Sequence, residues 1–355
     1  MRPIRVWFLR TFNNPQLVLL LALLAGFFLV MTFFAGIIAP LIAGVVLAFL
    51  LDKPAEWLKR RGFPNWAAAT IMFVGFVAFL AILLMLVLPP LIQQTAAFVR
   101  QVPQMIGELR TELSDLPQAY PDLVTEAQLA RLFSEIEALI PGLGRQALFL
   151  TLDSVTTLIV AFIYTLLTLI LMFFFLKDKR QIMAWLAGFL PSHRPLADQV
   201  WQEATARAGD YARGKLYEIF IVGIAAWITF ELVALPYPAL LAVLTGLSVI
   251  IPFVGATVVC VPVAAVALFT WGVSTESLIA ICAYLILQAI DGNVLVPLLF
   301  SEVVKLHPIA VIVAILVFGG IWGLWGVFFA VPLATLAQAV VRAWPRRRTV
   351  GVTQA

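Results

Sequence analysis

Charge is scarce in this sequence. Asp, Glu, Lys and Arg make up 12% of the 355 residues, about half the share found in water-soluble domains. Apolar residues make up 63% and the mean hydropathy is +1.04, which excludes a soluble globular chain. Histidine and cysteine are rarer still, two of each. His193 and His307 stand on different segments, with no HExxH pattern and no cysteine partner, so no metal and no cofactor is expected. Cys260 and Cys282 both lie inside apolar runs and read as packing residues rather than as a disulfide or metal site. No glycine-rich loop ends in a lysine, and the stretch GLSVI at 246–250 is not a nucleophile elbow. These absences argue against an enzyme and against an ATP-driven pump built from this chain alone. Transport, if any, would be gradient-driven or passive.

What is present is a series of apolar runs near the ~20 residues that cross a bilayer as helix. They are continuous rather than alternating, so helices and not barrel strands supply the spans. The predicted fold is an all-α polytopic membrane protein with about eight transmembrane helices, a re-entrant or broken helical hairpin, and an external helical segment. Residues 17–34 and 37–51 form a tight hairpin around Ala35 and Gly36; the first run is too long for a signal-peptide core and lacks a clear cleavage site, so it reads as a retained span. Residues 67–90, 155–176 and 219–235 follow, then the interrupted pair 238–251 and 256–271, then 278–296. The remaining 308–341 would be about 50 Å long as a straight helix, against a hydrocarbon core of about 30 Å, so it must fold back at FGGIWGLWG.

Orientation follows from the basic residues. Lys53, Lys59, Arg60 and Arg61 follow the second span, Lys177, Lys179 and Arg180 the fourth, and Arg342, Arg346, Arg347 and Arg348 the last. Between 92 and 154, by contrast, four arginines and no lysine face eight acids. Both termini are therefore expected in the cytoplasm and 93–154 outside. The basic tail at 342–355 suits anionic lipid headgroups rather than nucleic acid. The chain divides into spans 1–3 (1–92), an outer helical segment (93–154), span 4 (155–176), a cytoplasmic helical segment (177–218), a core with broken helices (219–341) and the tail.

The outer segment carries Leu129, Leu132, Phe133, Ile136, Leu139 and Ile140 on one helical face, after a capping-box pattern at Thr125 and Gln128. That face could lie on the membrane, cap a pore, meet another subunit or pack on its own chain. On the cytoplasmic side a helix from 195 to 218 runs into the fifth span, and Asp210, Arg213 and Lys215 read as solvated anchors at the interface.

Transporters place interrupted helices at the depth where solutes bind, because unwound backbone survives there only when it lines a cavity or is buried in protein. Two such places occur here. One is marked by Pro252 and Gly255. The other is the interruption from Asp291 to Pro297, which Gln288 precedes. Asp291 lies about 20 Å along a helix begun at Leu278, below the midplane. It either caps a short following helix or, with Asn293, contacts solute or a coupling cation. An ionised Asp at depth costs about 2.5–3.5 kcal/mol on insertion scales, which favours an inward-facing role. Glu231 lies near the outer end of its span, where snorkelling competes with a pathway role. Pro297, His307, Gly319, Gly320, Gly323 and Gly326 are the candidate gate or hairpin residues. Gly319 and Gly323 have small-xxx-small spacing, which suits close helix packing as well as a gate. His307 suits a cap, and Trp322 and Trp325 suit interfacial anchors.

The blocks APLIAGVVLAFLLDKPAEWLKRRG, YARGKLYEIFIVGI, LPYPALLAVLTGLSVIIPFVGATVVCVPVAAVAL and DGNVLVPLLFSEVVKLHPIAVIVAILVFGGIWGLWGVFFAVPLATL, in this order, resemble the successive motifs of the AI-2E family, also called UPF0118. The last block, with its Trp-Gly repeats and a following AWP, is most similar to the PerM-like branch. The resemblance covers residues 39–344. It implies a permease of the bacterial inner membrane, a homo-oligomer, in a family whose members are described as autoinducer-2 exporters or as sodium or lithium/proton antiporters. Two function classes stand: a transporter or exporter of a small polar solute, coupled or not to H+ or Na+, and a membrane scaffold or assembly protein without transport activity.

Overall fold

The computed structural model describes residues 15–113, 130–131, 134–135, 155–252, 254–300 and 307–343. The amphipathic outer helix predicted over 125–141 and the basic tail lie almost wholly outside them. Among the described residues there are helices and turns and no strand. In chain order the helices are α1 (Pro15–Arg60), α2 (Asn65–Leu113), α3 (Val155–Lys177), α4 (Lys179–Gly188), α5 (Pro195–Leu232), α6 (Pro238–Ser248), α7 (Val254–Trp271), α8 (Thr275–Ile290), a π-helical turn (Asp291–Leu295), α9 (Val296–Phe300) and α10 (Pro308–Ala343).

Six stretches are long and apolar enough to cross a bilayer: Gly36–Arg60, Asn65–Glu108, Ile159–Lys177, Val254–Trp271, Thr275–Phe300 and Ile309–Gln338. Val18–Phe34 and Pro238–Ser248 are apolar but shorter. Six rather than about eight therefore meet the length and apolarity of a span among the described residues. Along α2 the large side chains face outward, Ile82 at 65% and Met85 at 78% exposure, which in water would be an adhesive patch and in a bilayer is the lipid-facing surface.

The chain falls into two compact units, one from residues 1–73, 167–218 and 294–355, the other from 74–166 and 219–293. In the first, α1 doubles back. A straight helix would hold Leu20 and Phe49 about 43 Å apart. Leu20 packs on Val200, however, and Phe49 lies against Gly209, positions only about 14 Å apart along α5. The two apolar limbs thus agree with the hairpin predicted around Ala35 and Gly36. The second limb crosses α3 closely, because a Cβ on Gly44 would lie 2.9 Å from Leu171 Cβ and 3.2 Å from the Thr168 carbonyl oxygen.

The same unit contains the predicted fold-back in α10. Gly323 adopts φ 58°, ψ −136°, open only to glycine without strain. Around it Gly326 presses on Phe318, and Val311 and Val331 share one buried cluster with Tyr211 and Phe300. On a straight helix those valines would be about 30 Å apart.

In the second unit α6 and α7 form the other hairpin. A Cβ on Gly255 would lie 1.8 Å from the Ser248 carbonyl oxygen, and a Cβ on Gly246 3.0 Å from Gly223 Cα on α5. The outer half of α2 holds the start of α6: Gln94 Oε1 accepts from Leu240 N at 3.0 Å, and Gln101 Oε1 accepts from the Tyr237 hydroxyl. The core of this unit stacks Phe230 and Tyr284 among Leu241, Val263, Val266 and Ala280, the small Ala and Val side chains letting helices approach around the two rings.

Candidate functional site

The polar line along α8 begins with its cap. Ser274 and Ser277 bond each other reciprocally, Ser277 N donating to Ser274 Oγ at 3.3 Å and Ser274 N to Ser277 Oγ at 3.1 Å. About six turns on, Pro297 supplies no N–H, so the helix cannot keep its ordinary ladder across the preceding turn. The chain answers by widening into the π-helical turn Asp291–Leu295. The interruption predicted from Asp291 to Pro297 is therefore a widened helix and not unwound backbone. Single π turns of this kind are frequent at functional sites.

The widened turn sits just past Tyr284 and Gln288, which with Asp291 recur every three to four residues. Tyr284 is fully buried, stacks on Phe230, and donates to the Ala256 carbonyl at 2.6 Å. That bond ties α8 to the residue after Gly255, so the Pro252–Gly255 hairpin and the polar line belong to one packed assembly. Gln288 Nε2 and Asp291 Oδ1 are both shielded from solvent. Asn293 is exposed and spends its amide on its own helix, Nδ2 donating to the Ala289 carbonyl at 2.8 Å. Gly292 beside it meets open space.

The other predicted residues do not join this group. Glu231 is exposed and accepts from Trp227 Nε1 at 3.1 Å on its own helix, the geometry of a surface anchor. His307 caps α10: its Nδ1 accepts from Ile309 N at 3.3 Å and its carbonyl from Ala310 N at 2.8 Å. Gly323 is the fold-back, Gly319 and Gly326 are the close contacts flanking it, and Gly320 meets nothing. Trp322 stacks on Phe28 and Phe318 and donates to Thr32 Oγ1 at 3.4 Å, which packs the hairpin tip against α1.

A second polar group was missed as a site. Lys215 Nζ and Glu218 Oε2 pair at 2.7 Å with side chains 5% and 3% exposed. Lys215 is therefore not the solvated anchor that the sequence suggested. Its ammonium lies 5.4 Å from the Phe300 ring centroid, and Gly214 gives that ring room, since a Cβ there would lie 2.7 Å from it. Tyr211, one turn earlier, is buried with a hydroxyl that meets no partner. Burial, then the charge of Glu218, pushes the Tyr211 phenol well above its ordinary value of 10.0. The signal was the spacing Tyr211, Lys215, Glu218, one face of a helix, in YARGKLYE.

Of the other two expected anchors on the neighbouring face, Asp210 is half exposed as a solvated anchor would be, whereas Arg213 is largely buried. Arg213 donates to Asp210 at 2.6 Å and to the Phe49 carbonyl at 2.8 Å, beside the helical turn that Pro54 loosens in α1. Lys53 reaches the same carboxylate at 3.3 Å. Partial burial raises the Asp210 pKa, but the bonds and charges of Arg213 and Lys53 outweigh it and hold the carboxyl below its ordinary 3.8. No cluster of three or more His, Cys, Asp or Glu side chains suited to a metal occurs among the described residues.

Set beside known proteins, residues 17–346 match the family described as AI-2E family transporter. The chain is 42% identical over 339 residues to "Putative permease PerM" of Escherichia coli K12, covering 96% of both chains. It is 26% identical over 317 residues to "Putative transport protein YrrI" of Bacillus subtilis, covering 88% of both. A "Putative transport protein" of Thermotoga maritima is 27% identical over 324 residues.

Proposed function

We propose, since the chain belongs to the AI-2E transporter family, that it is a gradient-driven or passive transporter of a small polar solute in the bacterial inner membrane, coupled to H+ or Na+ at Asp291. The observation that carries this reading is the π-helical turn at Asp291–Leu295. It interrupts a span that is otherwise apolar, and it puts a shielded carboxylate oxygen one turn from the shielded amide of Gln288. A carboxylate and an amide together offer a cation oxygen ligands and offer a polar solute both a donor and acceptors. The Pro252–Gly255 hairpin, tied to α8 through Tyr284, gives a packed wall against which such a site opens and closes. Pro297, His307 and the α10 hairpin keep the gate or hairpin role proposed from the sequence.

The test is counterflow in proteoliposomes against a panel of small polar metabolites and Na+, with and without an imposed proton gradient. Asp291→Asn keeps the size and most hydrogen bonding but removes the titratable charge. An ionic contact worth about 1.5–3 kcal/mol predicts a loss of about 10–150-fold in coupled transport, with folding preserved. Parent-like transport by Asp291→Asn at every pH tested would leave the carboxylate as a helix cap. A chain that moves nothing on the panel under any gradient would be a scaffold.

A further inference from the structure

Three cavities in the unit formed by residues 1–73, 167–218 and 294–355 share wall residues in succession. The first, of about 340 Å³, is walled by Ile38, Val45, Phe49, Trp201 and Trp325 among other apolar side chains. The second, of about 200 Å³, shares Val45, Phe49, Trp201 and Thr205 with it. The third, of about 500 Å³, shares Asp52, Lys179 and Met183 with the second. Its wall carries four basic side chains, Lys59, Lys177, Lys179 and Arg180, against three carboxylates. We propose that this groove holds one anionic phospholipid, an acyl chain along residues 38–49 and the phosphate at the Lys59–Arg180 end.

Length is the first argument. Ile38, Ile42, Val45, Phe49, Asp52, Glu56 and Lys59 all line the groove and recur at helical spacing on the second limb of α1. The apolar stretch from 38 to 49 rises about 16 Å, half of a ~30 Å hydrocarbon core and so the depth of one leaflet. The change from apolar to charged falls between Phe49 and Asp52, within a single helical turn. A groove that is apolar for one leaflet and charged beyond it matches an amphiphile anchored at one surface. A free anion would have no use for the apolar arm, and a small polar solute would be rejected by it.

Charge is the second argument. Lys179 is held by Asp52 at 2.6 Å and Lys177 sits 3.6 Å from Asp178. Lys59 and Arg180 make no ion pair among the described residues, and against the remaining carboxylate, Glu56, they leave the wall one net positive charge for an anionic headgroup. Arg180 lies in the first turn of α4, whose Met183 and Leu186 continue the apolar wall. None of the residues named belongs to the unit that holds Gln288 and Asp291, so the lipid site and the transport reading stand or fall separately.

The test uses the full chain, purified in detergent and delipidated, then titrated in mixed micelles with phosphatidylglycerol or phosphatidylcholine. Thermal unfolding and mass spectrometry of the intact protein are the readouts. One phosphatidylglycerol molecule should stay bound and raise the unfolding temperature, with weaker binding of phosphatidylcholine and no protection by inorganic phosphate. Lys59→Gln with Arg180→Gln, both at or near the surface, should weaken phosphatidylglycerol binding by about tenfold or more without changing the lipid-free unfolding temperature. Val45→Trp, which fills the apolar arm, should abolish retention. Protection by phosphate alone, equal binding of the two lipids, or full retention by the paired basic variant would each overturn the proposal. Should Val45→Trp fail to fold, the paired basic variant still decides it.

Discussion

Lys215 with Glu218 and Asp210 with Arg213 are ion pairs of similar length on one helix in opposite surroundings. The first is sealed, at 5% and 3% exposure; the Asp210 side chain is 47% exposed. Removing one member of a sealed pair strands a charge without water. Glu218→Gln should therefore lower stability by about 3–5 kcal/mol, and Lys215→Met with Glu218→Leu should recover most of the loss. Asp210→Asn should cost only about 0.2–1 kcal/mol, because solvent screens it. The depressed Asp210 pKa makes its contribution present above the unfolded value near 3.8 and lost as pH falls through the lower folded value. Acid unfolding should thus be less steep below about pH 4 in Asp210→Asn than in the parent. Thermal unfolding in detergent across pH reads all three. In the sequence these charges looked alike, because what separates them is Phe300 and Val331, about 85 and 115 residues further on.

At the scale of elements, the interrupted helices were legible as places and not as geometries. FGGIWGLWG announced a fold-back, but four glycines in so short a stretch leave the turning residue undecided until the backbone shows φ 58° at Gly323. Asp-Gly-Asn before a proline reads as a break in water. In a span, each freed backbone group demands a partner, and the helix keeps its bonds by widening while Asn293 supplies a donor. The glycines of α10 predict a graded series. Gly326→Ala would put a Cβ 1.8 Å from the Phe318 carbonyl oxygen and should destabilise by more than the about 1–3 kcal/mol typical of overpacking. Gly323→Ala should cost about 1–3 kcal/mol through backbone strain. Gly320→Ala, which meets open space, should be neutral or slightly stabilising. Thermal unfolding of the three variants orders them, and equal effects at Gly320 and Gly326 would mean that the limbs do not pack as described.

For the whole molecule, the count of crossings depends on two helices too short to span by themselves, Val18–Phe34 and Pro238–Ser248, and on α5, whose second half was predicted to cross. Composition made the class plain, and charge asymmetry predicts a topology, because both are sums over many residues. Hairpin limbs are harder, since a short apolar helix has the same composition whether it crosses or returns. The bend of α1 keeps the first limb with the second, so the positively charged N-terminal segment and Lys59 should share a side. Single cysteines in a background lacking Cys260 and Cys282 read this directly with an impermeant thiol reagent on spheroplasts. Cysteines at Glu126 and Glu135, in the acidic stretch between α2 and α3, should react. Those at Arg10, Lys59, Lys179 and Arg347 should react only after the membrane is opened. Labelling at Arg10 from outside, with Lys59 protected, would make α1 a single crossing and reverse the placement of the N-terminus; labelling at Lys179 would invert the whole arrangement.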